Sequence, residues 1–106
     1  MTITFELDSD FVLSQQIPLV AGDLRYGLER SFIKERTVIN IAVGEVQRGN
    51  SDPLLYELAV LLVDEVERIP EIFKELDYPG RFDDPRDCAR KWLYMQLKAA
   101  YLQRDA

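Results

Sequence analysis

The sequence predicts an all-α fold: one compact bundle of about five to six helices, led by one short N-terminal strand. Three observations carry this. Apolar residues recur at helical spacing in several separate segments. Most of those segments open on a capping residue or close on proline or glycine. The chain has 106 residues, 47% of them hydrophobic, enough for one modest core and one domain spanning 1–106. No apolar run approaches the roughly 18–20 residues that span a bilayer.

The elements follow in order. "TITFEL" alternates Ile3, Phe5 and Leu7, so residues 1–7 read as a strand-like arm. A lone strand leaves its ladder unsatisfied, and pairing with the same strand of a second copy, as a homodimer, is one solution. Ser9 or Asp8 caps a short helix that stops before Pro18. The second helix covers "AGDLRYGLERSF", with Ala21, Leu24, Leu28 and Phe32 on one face. Gly27 within it costs about 1 kcal/mol relative to alanine, which points to close packing or an early end. The third, "KERTVINIAVGEVQR", carries the stripe Val38, Ile39, Ala42, Val43, Val46 and stops at Gly49-Asn50. Asp52 or Ser51 caps the fourth, with Pro53 at its first position and Leu54, Leu55, Leu58, Ala59, Leu61 and Leu62 as its stripe. A fifth helix begins near Asp64. Pro70 either kinks it or divides it into a turn at 64–69 and a helix from Ile69 to Leu76. After a loop at "DYPGRFDD", a long C-terminal helix spans 84–104.

Charge is spread unevenly. The net charge is −6, and residues 52–87 hold eleven acids against four bases. Residues 88–106 reverse the sign, with four bases and one acid. An acidic chain is repelled by phosphate backbones, which disfavours nucleic acid as a partner. The single cysteine, Cys88, excludes an internal disulfide and fits a reducing cytoplasm. "MTITFELDSDF" has no basic n-region and no long apolar h-region, so no secretory signal is expected there and the expected location is cytoplasmic.

Chemistry is narrowed by what the chain lacks. With no histidine, Ser/His/Asp and Cys/His catalysis and imidazole metal sites are excluded, and one cysteine makes no thiolate cluster. No Walker loop, G-x-G-x-x-G or G-x-S-x-G occurs, so no cofactor is expected and no catalytic residue is assigned. The loop at 77–87 lacks the EF-hand order of ligands. Magnesium among Asp83, Asp84 and Asp87 is conceivable, but acids in a first helical turn are explained by the helix dipole.

The acidic stretch 64–87 is the main candidate surface. At 100° per residue Val66, Ile69, Phe73 and Leu76 face inward, while Asp64, Glu67, Glu71 and Glu75 stand almost opposite. Like charges four apart cost roughly 0.2–0.5 kcal/mol per pair, and flanking Arg68 and Lys74 return a similar amount. The face is therefore consistent with a solvated surface or with a dock for a basic protein. The carboxylates are expected to stay wet and outward, without chemistry of their own.

The last helix has two apolar arcs: Cys88, Trp92, Met95, Ala99, Leu102, and Ala89, Leu93, Leu97, Ala100. Such a helix is expected to be central and packed on two sides, with Trp92 in the core. Arg90, Lys91, Tyr94, Lys98 and Tyr101 remain. They suit stacking on single-stranded nucleic acid, or packing against an acidic neighbour.

"AGDLRYGLERSFI", "DPLLYELAVLL" and "RKWLYMQLKAAY" together resemble small bacterial proteins of an uncharacterised, mostly helical family. The resemblance implies an α-helical fold and members found among toxin and immunity genes. It carries no catalytic residues.

The leading expectation is an interaction protein of the immunity type that neutralises a basic toxin domain. Its face would be Asp64, Glu67, Glu71 and Glu75, with Asp77, Asp83 and Asp84 adjoining and Tyr78 and Phe82 as aromatic anchors. The alternatives are a homo-oligomeric structural or adaptor domain, and a magnesium-dependent carboxylate enzyme.

Overall fold

In a computed structural model, residues 5–61, 63–77 and 85–103 are described. They form six α-helices: α1 (Ser9–Ser14), α2 (Ala21–Glu29), α3 (Glu35–Gln47), α4 (Pro53–Ala59), α5 (Ile69–Phe73) and α6 (Pro85–Gln103). Turns of 3₁₀-helix at Val63–Arg68 and Lys74–Asp77 bracket α5. The all-helical class stands.

Local chemistry explains most boundaries. The Asp8 carboxylate accepts the Phe11 N–H at 2.7 Å and starts α1. Asp52 caps α4 through the Leu54 N–H, and its other oxygen accepts the Ala21 N–H at the start of α2, 3.0 Å in each case. One carboxylate thus ties two helix N-termini together. At the end of α3, Gly49 has φ +91°, a conformation that favours glycine. The N–H of Asn50 returns to the Glu45 carbonyl and that of Gly49 to Val46, which closes a Schellman motif. Pro70 divides the fifth segment rather than bending it. Proline has no N–H for an interior helical bond, so it sits at the start of α5 behind a tighter 3₁₀ turn.

Of the expected N-terminal strand, residues 1–4 lie outside the described residues, and Phe5–Leu7 have no regular secondary structure. Part of their backbone is bonded within the chain. The Gln96 side-chain amide accepts the Phe5 N–H at 2.8 Å and donates to the Phe5 carbonyl at 2.7 Å, as a neighbouring strand would. Leu7 N–H bonds the Phe32 carbonyl at 2.8 Å.

The central helix is α3, not α6. It packs on α1, α2 and α4 and buries Val38, Ile39, Ile41 and Ala42. Helix α6 packs chiefly on α2. Its first arc sinks as expected, with Cys88, Trp92, Met95 and Ala99 buried, but Leu102 is exposed. Its second arc is partly uncovered: Leu93 and Leu97 are 60% and 62% exposed, while Ala89 and Ala100 are half-buried. The reason is geometric. The α2 surface covers one side of a helix, and no other described element reaches across to the far side of α6.

Trp92 locks α6 to α2. Its indole N–H donates to the Asp23 carbonyl at 2.8 Å, and its ring lies 5.8 Å from that of Phe32. A Cβ on Gly27 would stand 2.5 Å from Trp92 Cζ2. That glycine is therefore a close-packing glycine, one of the two roles its position allowed, and α2 also ends two residues later.

Candidate functional site

The acidic face is built by α4, α5 and the two 3₁₀ turns. Asp64, Glu67, Glu71 and Glu75 are all exposed. They do not follow a single helical spacing, because the turns on either side of α5 wind more tightly. They remain outward because Ile69, Ile72, Phe73 and Leu76 take the inner side. The Asp77 side chain and Tyr78, Phe82, Asp83 and Asp84 lie outside the described residues.

Between α4 and α5 runs a groove of about 270 Å³, lined by Glu57, Val60, Leu61, Arg68, Glu71, Ile72 and Glu75. Leu61 and Ile72 are buried and form an apolar floor. Glu57, Glu71 and Glu75 form an acidic rim, Val60 is 64% exposed, and Tyr56, next to Glu57 in α4, is 62% exposed. Arg68 is the one cation among these lining residues, and it pairs with Glu65 at 3.1 Å. The Glu57 carboxyl is pushed above the ordinary carboxylate range. Partial loss of water is the first cause, followed by the charge of Glu75 and a hydrogen bond shared with it.

The structure thus brings Glu71 and Glu75 together with Glu57, while Asp64 and Glu67 stay outside the groove. Glu57, Tyr56 and Val60 were not among the expected site residues. A signal for them did exist: Tyr56 and Val60 lie opposite the Leu54, Leu55, Leu58 stripe of α4, where polar residues belong.

Two carboxylates overturn the expectation that all of them stay wet. Asp23 and Glu45 are buried, 1% and 2% exposed. Asp23 accepts the Val20 N–H at 2.9 Å and the Lys91 ammonium at 2.8 Å, so it caps α2 and anchors α6. Glu45 accepts from Arg48 Nη1 and Asn50 Nδ2, each at 3.2 Å. Arg48 also donates to the Leu13 carbonyl, and Asn50 to the Leu19 carbonyl at 2.8 Å. Together they brace α1 and the segment after it against the end of α3, beside a recess of about 560 Å³ that also involves Gln16, Pro18 and Ser51. Among the described residues no buried side-chain nitrogen or oxygen lacks a partner. Both carboxylates are therefore used as structural ties.

No group of three or more cysteine, aspartate or glutamate side chains among the described residues is placed to hold a metal ion. No described helix is long and apolar enough to cross a membrane. On α6 the basic residues part ways. Lys91 turns to Asp23, while Arg90, Tyr94, Lys98 and Tyr101 stay exposed beside Leu93 and Leu97.

No curated protein and no solved structure matches this chain. A family model does, over residues 9–106, and the chain belongs to that family, the uncharacterised proteins conserved in bacteria designated DUF2247.

Proposed function

We propose that this protein is a protein–protein interaction module whose α4–α5 groove and adjoining acidic face receive a basic protein partner. In its finer form the reading is an immunity-type protein that occludes a basic toxin domain. The observation that carries it is the groove: an apolar floor of Leu61 and Ile72 under a rim of Glu57, Glu71 and Glu75. An apolar centre inside a charged rim is the ordinary anatomy of a protein interface. Two features give further support. Glu57 holds its proton more tightly than usual, first through partial loss of water and then through the charge of Glu75, and a cation from a partner would relieve that repulsion. Asp64 and Glu67 extend the negative field beyond the groove, which raises association rates with a basic surface.

Charge reversal tests the reading. The parent chain and its E67K/E71K/E75K variant are used as bait in the native cell, and captured proteins are identified. Association with the captured partner is then measured at low and high salt. The variant is expected to associate about tenfold more slowly, with a flatter salt dependence. Equal rates and equal salt slopes would remove the acidic face from the interface. For the finer reading, expression of the captured partner alone is expected to arrest growth and co-expression of the parent chain to restore it. A partner that is harmless alone refutes neutralisation.

A further inference from the structure

Helix α6 presents an apolar stripe on the side opposite its buried one. Leu93, Leu97 and Tyr101 lie four residues apart, all more than half exposed, and span about 12 Å at 1.5 Å per residue. Arg90 and Lys98 accompany them, both exposed. Asp87, in the first turn, is the one acid among the residues of α6. Four large apolar side chains exposed on that face (Leu93, Tyr94, Leu97 and Tyr101) leave on the order of 400 Å² of apolar surface. That is the size of the largest patch on a typical monomer, and such a patch is often functional.

The α4–α5 groove has the opposite character: an apolar floor, the exposed Val60 and a rim of three carboxylates. At about 270 Å³ it lies below the roughly 300–1,000 Å³ usual for small-molecule pockets. It suits inserted side chains. We propose that the outer face of α6 in one copy docks head to tail into the α4–α5 groove of a second copy, with Leu97 as the knob and Arg90 and Lys98 against the glutamate rim. This rests on reading the groove as a docking surface, and names a second copy as one of its occupants.

Charge complementarity selects this arrangement over the two-fold alternative. Two α6 helices packed face to face would bring both copies of Arg90 and Lys98 into one seam, and like charges across an interface are costly. Head-to-tail docking places those bases against Glu57, Glu71 and Glu75. Such a contact uses two different patches, so each added copy leaves one of each open, and the product is a ring or an open chain.

Sedimentation equilibrium of the full chain over a wide concentration range tests the proposal. The mass is expected to rise with concentration beyond the monomer, and to fall back as salt increases. Leu97→Asp removes the knob and E71K/E75K reverses the rim. All three residues are exposed, and circular dichroism confirms that each variant is folded. Each variant alone is expected to self-associate about thirtyfold more weakly or less. Mixed in equal amounts, they are expected to form a 1:1 dimer, because one retains its groove and the other its α6 face. A parent chain that stays monomeric overturns the proposal. So does a mixture that stays monomeric, or an E71K/E75K variant that self-associates as well as the parent, which would place the contact on α6 alone. Failure here is separable from failure of the functional reading. The L97D chain has an intact groove, so its capture of the basic partner reports on the groove without any self-association.

Discussion

Replacing Gly27 by alanine should destabilise the protein by about 2 kcal/mol. In an exposed helix the same change gains about 1 kcal/mol, so the sign tests the packing argument. The added methyl would stand 2.5, 2.8 and 2.9 Å from Trp92 Cζ2, Cε2 and Cη2. All three belong to one rigid ring that is fully buried. The ring cannot swing aside without loosening its hydrogen bond to the Asp23 carbonyl, worth about 1 kcal/mol, or its contact with Phe32. Overpacking of this kind costs typically 1–3 kcal/mol. With the lost hydrogen bond added and the helix gain subtracted, about 2 kcal/mol remains. For a chain of this size that lowers Tm by on the order of 10 °C. Trp92 is the protein's one tryptophan, so its fluorescence reads the site directly. The G27A variant is expected to show a lower Tm and a red-shifted emission in the native state. A variant as stable as the parent, with unchanged emission, would refute the claim that α2 and α6 meet in contact at this point.

Two further predictions concern the carboxylates. Lys91→Met should lower stability by about 2 kcal/mol, because it leaves buried Asp23 without its cation. The figure is taken below the fully buried range because Lys91 keeps partial access to solvent. Urea unfolding should show a lower midpoint with an unchanged slope, and a loss below about 0.5 kcal/mol would contradict a working ion pair. At Glu57 the raised pKa sets a pH signature. The native chain holds this proton more tightly than the unfolded chain, so between the ordinary value of 4.5 and the higher native value its contribution to stability falls as pH rises. Glu57→Gln should therefore raise Tm at neutral pH, and the gain should fade as the pH drops below 4.5. A gain that is independent of pH would show that carboxylate repulsion is not its source.

The helices were legible in the sequence because their signals are local. The caps at Asp8 and at Asp52 with Pro53, and the breaks at Gly49 and Pro70, act within one turn of where they stand, and each marks a boundary that the fold keeps. Inward and outward sides were also legible where an element packs on one side only. That is why Asp64, Glu67, Glu71 and Glu75 were placed correctly on the surface, and Trp92 in the core. Tertiary structure alone decided which helix became central. The sequences of α3 and α6 both carry more apolar surface than one neighbour can cover, and the fold closes around α3 and leaves Leu93 and Leu97 outside. It alone also decided the pairs formed across long sequence separations: Asp23 with Lys91, Gln96 with Phe5, Glu57 with Glu75. A capping residue satisfies backbone groups a few positions away, so its effect can be read along the chain. A buried carboxylate, or an apolar second face, depends on which surface arrives from elsewhere in the chain, and that is set only when the helices pack.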